Sequence, residues 1–453
     1  MDAFLEVFIR LHVIYSASHF MNKSIVTILI AAVLSALGCQ ALKRDSVKME
    51  FVRVDGGRFT LGGKPYLFVG TNYWYGAYVA ASDPERMKRE LDFLAKNDVK
   101  NLRVLALSEE SQLERSIRPA TLKKSGDLNS NLMEGLDLFL EEAAKRDFKV
   151  VLYFTNFWQW SGGMSQYVNW FGEEPLEDPD LTGDWDAFMK QSASFYTCEP
   201  CQELFRESIH KVIARKNTVN GRTYRNDPTI MAWQLANEPR PGGAEYDQVS
   251  ASSYIKWVDQ TAHYIKSLAP RQLVSSGSEG IKGSQDRELT YILAHKSTAI
   301  DYLTVHMWIK NWGWFDIKNP DVTFDYAKQM AKLYIDDHIR IAKELGKPLV
   351  LEEFGAERDE GDYLKISSTY YRDQYFDFVF KLIEKNQPYF SGTNFWAFGG
   401  IGEPGINPDR WQMGDDYLGD PPQEPQGLNS VFVSDDSTWD VIRSHAERLI
   451  EIN

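Results

Sequence analysis

Cysteine is scarce in this sequence, which limits the chemistry that thiols could perform. The three cysteines are Cys39, Cys198 and Cys201, and the last two lie in "YTCEPCQE". Two thiols cannot form a zinc site by themselves, because a structural zinc ion takes four protein ligands. The surrounding sequence does not resemble a thioredoxin-like motif. We therefore expect either a local Cys198–Cys201 disulfide or two inert thiols, and no metal site.

An excess of basic charge is also missing. The 50 Lys and Arg residues face 64 Asp and Glu residues, which gives a net charge of -14 and a pI near 5.2. Because phosphate contacts require a basic face, this composition argues against nucleic-acid binding. No run of like charge forms a tail.

The apolar stretch near the N-terminus is too short to span a membrane. Residues 24–38 number 15, whereas a spanning helix needs about 20 residues. This stretch follows Lys23 and ends in small residues before Cys39, the pattern of an export signal within residues 21–39. Residues 36–39, "ALGC", loosely resemble a bacterial lipoprotein box. We expect an exported bacterial protein, anchored to the outer membrane only through a lipid at Cys39, or else periplasmic or secreted after cleavage of a plain signal peptide.

Residues 1–20 do not suit a signal, because they include Asp2 and Glu6. Our hypothesis is that this segment is a misassigned upstream extension and that Met21 is the true start. Peptides from residues 1–20, detected in the cell by mass spectrometry, would contradict it.

The rest of the chain alternates between strand-like and helix-like segments. After a polar linker at 40–50, "FVRVDGGRFTLGG" (51–63) predicts a hairpin with a Gly-Gly turn. Amphipathic stretches such as 131–147, 326–346 and 438–453 predict helices. Between these segments lie eight apolar, β-branched runs, at 66–74, 101–107, 149–157, 230–239, 273–280, 301–308, 348–355 and 391–400. Eight strand–helix units predict a single (β/α)₈ barrel, an α/β fold, as one domain over residues 51–453.

The predicted strands become polar or aromatic only at their C-terminal ends. These positions include Asn72, Trp74, Arg103, Asn156, Trp158, Asn237, Glu238, Glu279, His306, Trp308, Glu352, Glu353 and Trp396. Barrel enzymes place their active sites at this end, so the pattern predicts an enzyme.

Two acids at this end suggest a reaction. Glu238 ends the fourth predicted strand and Glu353 the seventh, so the two lie across the barrel mouth from each other. Paired carboxylates are the machinery of glycoside hydrolysis, in which one carboxyl is protonated and the other stays ionised. In a retaining enzyme they stand about 5 Å apart. The alternative interpretation is that Glu238 and Glu353 are two unrelated acids that are each solvated.

Five short motifs together resemble glycoside hydrolase family 5, and most of all its mannan-degrading subfamily. The motifs are "NLRVLA" with Arg103, "WQLANEPR" with Asn237 and Glu238, "HMW" with His306, "LEEFG" with Glu353 and "NFWAF" with Trp396. The likeness runs in order over residues 50–453. "FWQWSGGMSQY" (157–167) and "GDPPQEPQG" (419–427) look most like exo-acting β-mannosidases of that subfamily, with endo-β-1,4-mannanases next.

The resemblance implies that Glu238 is the acid/base and Glu353 the nucleophile. Asn237 would offer an amide to the sugar 2-hydroxyl, and Arg103 would hydrogen-bond Glu353 and keep it charged. Pro239 would restrain Glu238 to an extended backbone. Strand alternation would point Glu352 away from the face that Glu353 takes.

Two positions depart from the family pattern. A tyrosine usually follows the motif histidine by two residues, where its hydroxyl contacts the nucleophile, but Trp308 stands there. A histidine common on the third strand is missing, and Asn156 is the nearest polar residue. We place His306 in the site, although a lone histidine is often a satisfied core residue.

Tryptophans crowd the strand ends and the loops after them, and indole faces suit the apolar faces of pyranose rings. They are Trp74, Trp158, Trp160, Trp308, Trp312, Trp314, Trp396 and Trp411. We expect Trp396 to form the floor under the cleaved sugar.

Residues 399–430 lack helical periodicity, and structureless segments this long are usually lids or binding loops. Such a loop after the eighth strand would close one side of the mouth and admit only a chain end. We therefore expect a retaining, exo-acting β-mannosidase on mannan-derived oligosaccharides, monomeric and without a cofactor. The alternatives are an endo-β-1,4-mannanase, a cellulase or xylanase on the same frame, and a non-catalytic surface glycan-binding lipoprotein.

Overall fold

The structure is a computed structural model that describes residues 50–452. The expectations about the upstream extension, the signal or lipoprotein peptide, the lipid at Cys39 and nearly all of the linker fall outside these residues. Within the described part of the chain, no helix combines the length and apolarity needed to cross a membrane.

Eight parallel strands form the centre of the molecule, which confirms the predicted barrel. They are β1 (Phe68–Asn72), β2 (Asn101–Leu105), β3 (Lys149–Tyr153), β4 (Ile230–Gln234), β5 (Leu273–Ser275), β6 (Leu303–Met307), β7 (Leu349–Phe354) and β8 (Phe390–Phe395). Their order in the sheet is β5-β4-β3-β2-β1-β8-β7-β6. Backbone hydrogen bonds from Asp301 N–H to Val274 O (2.8 Å) and from His306 N–H to Glu279 O (3.0 Å) join the two remaining edges.

Helices surround this barrel. They are α1 (Gly76–Ser82), α2 (Pro84–Lys96), α3 (Ser130–Lys145), α4 (Gly163–Phe171), α5 (Pro179–Thr182), α6 (Trp185–Ala193), α7 (Glu199–Ile213), α8 (Gln248–Leu268), α9 (Glu288–His295), α10 (Pro320–Leu345), α11 (Tyr370–Lys385) and α12 (Asp436–Ile452). Short 3₁₀ turns cover Gln159–Ser161, Ser194–Thr197, Tyr224–Asn226, Lys282–Ser284 and Asp359–Gly361. Local sequence sets several ends: Asp83 caps α2 by accepting from Arg86 N–H (2.9 Å), and Gly346 ends α10 with φ +66°.

The observed strands are shorter than predicted at their C-terminal ends, where the polar residues lie. β4 ends at Gln234, so Glu238 belongs to the loop after the strand. Asn156 and Asn237 still pair as an isolated parallel bridge. Of the two states expected for Cys198 and Cys201, the structure has the disulfide, at the start of α7.

The N-terminal hairpin closes the barrel end opposite the polar strand tips. Its strands, Arg53–Asp55 and Arg58–Leu61, turn at the predicted Gly-Gly pair, and a short third strand, Lys64–Pro65, follows. Phe59 is fully buried, with its ring 5.3 Å from that of Tyr302 and 6.3 Å from that of Phe68. Phe68 begins β1 and Tyr302 immediately precedes β6, so the hairpin plugs the N-terminal end of the barrel.

Replacing Phe59 with Ala should lower the free energy of unfolding by about 3–5 kcal/mol, because the change empties a packed site. Urea unfolding measures this. Arg58→Ala on the same strand, an exposed position, should change stability by less than about 0.5 kcal/mol. Equal stability of the two variants would contradict the assignment of Phe59 as the plug.

Candidate active site

Two carboxylates and an imidazole meet at the barrel mouth. Glu238, His306 and Glu353 each place a carboxylate oxygen or ring nitrogen within 4.8 Å of the others. All three side chains are buried. An oxygen of Glu238 and an oxygen of Glu353 therefore lie no more than 4.8 Å apart, which is compatible with the roughly 5 Å between the carboxyl groups of retaining glycosidases and favours them over inverting ones, at ~6.5–9.5 Å. The alternative of two unrelated solvated acids therefore does not fit this geometry.

Arg103 organises the floor of the site from β2. Its guanidinium donates to Glu353 Oε1 (2.5 Å), to Asn237 Oδ1 (2.7 Å) and to Asn72 Oδ1 (3.0 Å). Its Nε donates to Gln234 Oε1 (2.9 Å). Arg103 is completely buried, so these hydrogen bonds replace the water that the cation loses on folding. The predicted contact between Arg103 and Glu353 is present.

Glu238 is held by donors on both carboxylate oxygens. His306 Nδ1 lies 2.7 Å from Oε1, and Trp158 Nε1 donates to Oε2 at 2.5 Å. The expectation of an extended backbone before Pro239 is wrong, because Glu238 has φ +50°. Its N–H donates to Gly277 O (2.8 Å), so a contact with the loop after β5, rather than the proline alone, sets the direction of the side chain.

The expectation that Glu352 points away from the site is also wrong. Leu351 pairs with Val305 and Glu353 pairs with His306, so Glu352 is the extra residue of a bulge in β7. The bulge interrupts strand alternation, and the buried Glu352 carboxylate accepts from Gln234 Nε2 at 2.5 Å. It also lies 3.7 Å from Arg103 Nε and 3.9 Å from His306 Nε2.

The charges around His306 determine the protonation of the site. Burial alone would lower the pKa of His306, but the charge of Glu353 and the hydrogen bond with Glu238 outweigh burial and raise the pKa to about 10. Burial acts to raise the pKa of Glu238, yet the hydrogen bond and charge of His306 hold it below its usual range. Burial raises the pKa of Glu353 to about 7 despite the opposing charges of His306 and Arg103. In the free protein the shared proton therefore lies on His306.

A pocket of about 500 Å³ opens above these groups. Five of the predicted tryptophans line it: Trp158, Trp160, Trp308, Trp312 and Trp396. Trp308 and Trp396 meet edge to face, with ring centroids 5.9 Å apart, beside Glu353. Trp308 makes no hydrogen bond to Glu353 among the described residues, so the usual tyrosine contact has no equivalent through this indole.

Other predicted site residues support the pocket without lining it. Asn156 is buried, and its Oδ1 accepts from Asn237 Nδ2 and from Trp158 N–H, both at 3.1 Å. Trp74 Nε1 donates to Gly419 O (2.9 Å). Trp411 stacks on Tyr417, with ring centroids 5.4 Å apart. Trp74 and Trp411 thus hold the segment after β8 in place and do not offer faces for sugar stacking.

Sequence reasoning missed the charged rim of the pocket. Arg240 forms an ion pair with Glu279 (2.5 Å) and lies 4.7 Å from the centre of the Trp158 ring. Burial raises the pKa of Glu279 to about 7 and that of Glu424 to about 8. Glu279 was visible as a polar strand tip, whereas Arg240 and Glu424 lie in loops whose path the sequence does not indicate.

The same three central side chains could also serve as metal ligands. Among residues 50–452 they form the one group of His, Cys, Asp and Glu side chains with three ligand atoms so close together. In this structure, however, Arg103 and Trp158 already donate to the two carboxylates, and the raised pKa of His306 disfavours the neutral ring that a metal requires. The donor set suits a shared proton better than a cation.

Similar proteins are known in both sequence and structure. A family model described as "GH family 5 beta-mannosidase-like" matches residues 49–453. Mannan endo-1,4-beta-mannosidase 5 of Solanum lycopersicum is 31% identical over 353 residues, which are 74% of this chain and 79% of that protein. Mannan endo-1,4-beta-mannosidase 7 of Arabidopsis thaliana is 29% identical over 350 residues, which are 73% of this chain and 74% of that protein.

Solved structures agree with the fold. The glycoside hydrolase family 5 mannosidase from Rhizomucor miehei superposes with a TM-score of 0.79 at 35% identity, covering 89% of this chain and 98% of that one. A mutant of that enzyme has been solved in complex with mannosyl-fructose. The endo-1,4-beta-mannanase from the same organism superposes with a TM-score of 0.67 at 24% identity, covering 88% of this chain and 99% of that one. At this identity the similarity shows the fold alone.

Glu353→Gln should lower the pKa of His306 by about one pH unit or more, because the change removes a negative charge beside the imidazolium. NMR titration of the imidazole signals measures this directly. The matched control is Glu384→Gln, which removes the carboxylate beside His445 (2.6 Å) and should leave His306 unchanged. An unchanged or raised pKa of His306 in Glu353→Gln would contradict this electrostatic assignment.

Proposed function

Because this mannan-degrading glycosyl hydrolase belongs to the β-mannosidase-like group of glycoside hydrolase family 5, we propose that it is a retaining exo-β-mannosidase. It removes mannose units from the ends of β-1,4-linked manno-oligosaccharides. The observation that carries the retaining mechanism is the 4.8 Å cluster of Glu238, His306 and Glu353. The observation that carries exo action is the position of the segment after β8.

In the first step, Glu353 forms a bond to the anomeric carbon while the bond to the leaving oxygen breaks. Arg103 fixes Oε1 of Glu353, and Oε2 lies 3.3 Å from His306 Nδ1. Glu238 gives its proton to the leaving oxygen, so the departing sugar carries a hydroxyl. Asn237 Nδ2 has a second hydrogen beyond its bond to Asn156, and this hydrogen serves the 2-hydroxyl of the sugar.

The acid role of Glu238 requires a proton that the free protein holds on His306. The 2.7 Å contact between His306 Nδ1 and Glu238 Oε1 lets this proton move to the carboxylate without change in the total proton count. As the leaving oxygen takes the proton from Glu238, the reaction draws it from His306. The imidazole thus acts as the proton reserve for the acid.

In the second step, water replaces the departed sugar. Glu238, now ionised, takes a proton from this water, whose oxygen bonds to the anomeric carbon as the bond to Glu353 breaks. Mannose leaves with its original configuration, and Glu238 is protonated again. This proton then returns to His306 across the 2.7 Å contact, which restores Glu238 to its ionised starting state.

The segment after β8 supports exo action because several of its residues line one side of the pocket. We call residues 401–430 the β8 loop; it lies between the short paired strands β9 (Phe398–Gly400) and β10 (Val431–Phe432). It contacts the loops after β1, β2 and β7 through three hydrogen bonds, Trp74 Nε1 to Gly419 O, Tyr417 Oη to Arg118 O, and Lys365 Nζ to Gly402 O. Gln423, Glu424 and Asn429 of this loop line the pocket.

We assign the side of the pocket next to the proposed acid to the leaving group. Arg240 and Glu279, after β4 and β5, line the pocket on the side of the proposed acid Glu238. The departing sugar leaves beside the acid, so it lies on this side. If the β8 loop closes the pocket beyond the nucleophile, as we propose, the pocket accepts one terminal mannose, which is the geometry of end-on cleavage.

Endo-acting mannanase activity is the second candidate, because related plant proteins are named mannan endo-1,4-beta-mannosidases. Product analysis separates the two candidates. We expect mannohexaose to give mannose and mannopentaose first, and galactomannan viscosity to fall slowly. A rapid fall in viscosity with mixed oligosaccharides from the first minutes would establish endo action instead.

The two carboxylate roles predict opposite responses to an activated substrate. Glu353→Ala should lose at least about 10⁴-fold in kcat on every substrate, because the attacking group is gone. Glu238→Ala should still react with dinitrophenyl β-mannoside, whose leaving group needs no acid, and added azide should accelerate turnover and give the β-mannosyl azide. Reversal of these responses between the two variants would reverse the assignment of roles.

We also propose that the protein is exported, on the evidence of the signal-like residues 21–39. The Cys198–Cys201 disulfide supports this, because such bonds persist in oxidising compartments.

A further inference from the structure

A single buried carboxylate, that of Asp420, holds together the two ends of the turn that faces the pocket. Oδ2 accepts from Gly427 N–H (2.8 Å), Ser430 N–H (3.2 Å) and Ser430 Oγ (2.6 Å). Oδ1 accepts from Asn429 N–H (2.8 Å). Asp420 is 1% exposed, so water cannot replace these partners.

The residues enclosed by these bonds form the inner surface of the β8 loop. Gln423, Glu424 and Asn429 all line the pocket, and all lie between Asp420 and Ser430. The turn 421–429 includes no helix or strand, so no regular backbone ladder fixes its shape. Within the turn, the Gln426 amide donates to Pro421 O (3.0 Å) and Glu424 O (2.9 Å). Backbone hydrogen bonds from Gln426 N–H to Pro408 O (2.6 Å) and from Trp411 N–H to Pro422 O (3.3 Å) attach it to the rest of the β8 loop, and the Asp420 carboxylate joins its two ends.

The base of the same turn is fixed independently of Asp420. Arg372, from α11, donates to Leu428 O (2.9 Å) and to Ser430 O (3.1 Å). Loss of the Asp420 contacts therefore opens the closure between the two ends of the turn that faces the pocket, while Arg372 keeps the loop attached to the barrel.

We propose that Asp420 is a positioning residue for specificity: it holds the turn 421–429 as the barrier that restricts the pocket to chain ends. This inference rests on the proposed exo action. Asp420 does not touch the reacting groups, so it acts only through the pocket-facing residues of the turn. A carboxylate suits this task because its two oxygens accept several N–H and O–H donors at once, whereas an amide of the same shape has only one accepting oxygen.

Asp420→Asn tests the proposal with almost no change in side-chain shape. On mannohexaose, the ratio of internal to terminal first cleavage should rise by about 10-fold or more. On nitrophenyl β-mannoside, which occupies only the cleavage site and leaving-group position, kcat should change by less than about 3-fold. An unchanged cleavage ratio in a folded Asp420→Asn variant overturns the proposal.

The control is Asp137→Asn. Asp137 is a fully buried carboxylate in α3 that accepts from Arg215, Tyr224 and Thr218, residues that precede β4 at the end of the barrel opposite the mouth. This variant loses a comparable set of hydrogen bonds. A purely structural role of Asp420 predicts equal behaviour of the two variants, whereas the proposal predicts a changed cleavage ratio in Asp420→Asn alone.

A milder change covers the case in which Asp420→Asn does not fold. Ser430→Ala removes the 2.6 Å bond to Asp420 Oδ2 and leaves the buried charge with its backbone partners. It should raise the internal cleavage ratio by about 3-fold, and an unchanged ratio in Ser430→Ala then counts against the proposal. Internal cleavage by the wild-type protein would instead overturn exo action itself, so the two failures remain distinguishable.

Discussion

Two buried cations lie among three buried carboxylates at the centre of this barrel. The active site depends on this balance of positive and negative charge. Arg103 and His306 face Glu238, Glu352 and Glu353, and each of these side chains is at least 94% buried. Ions taken out of water in this way are stable only when each finds partners of opposite charge and enough hydrogen bonds. Removing one member leaves its buried neighbours without a partner of opposite charge, so the five charges function as a unit. Substitutions among them will not have additive effects.

The fold supplies what this balance requires. Arg103 lies on β2, His306 on β6, and Glu352 and Glu353 on β7, so rigid strands set their separations. The bulge in β7 has a specific consequence, because it brings two successive acids toward the same interior. Glu352 adds a negative charge below His306, which helps to keep the imidazole protonated beside Glu238. The N-terminal hairpin closes the opposite end of the barrel, where Phe59 keeps water from the strand interior.

The sequence was sufficient to predict the barrel and the centre of the active site, because both produce a repeated pattern of apolar runs with polar ends. Eight apolar runs with polar ends predict eight strands and the face on which Arg103, Glu238, His306 and Glu353 meet. The direction of Glu352 could not be predicted, since a bulge depends on pairing with β6 and not on local alternation. The backbone of Glu238 depends on a contact with Gly277, 39 residues away in sequence. For the same reason the sequence could not give the surroundings of Trp74 and Trp411: an indole that packs within or against a loop has the same local sequence character as one that faces a ligand.

Under the proposed function, catalysis and chain-end selection depend on different parts of this molecule. The central charges come mainly from strand residues, whose positions cannot shift without disturbing the whole barrel. The proposed barrier comes from one loop, in which local hydrogen bonds to Asp420 join the ends of a turn and Arg372 holds the base. A change in that loop alters which part of a mannan chain can enter and leaves Glu238 and Glu353 in place. The same barrel fold is found in a mannosidase and in an endo-mannanase. Under the proposed function of this chain, the strands fix the bond-breaking geometry, and the loop after β8 sets where along the sugar chain that geometry is applied.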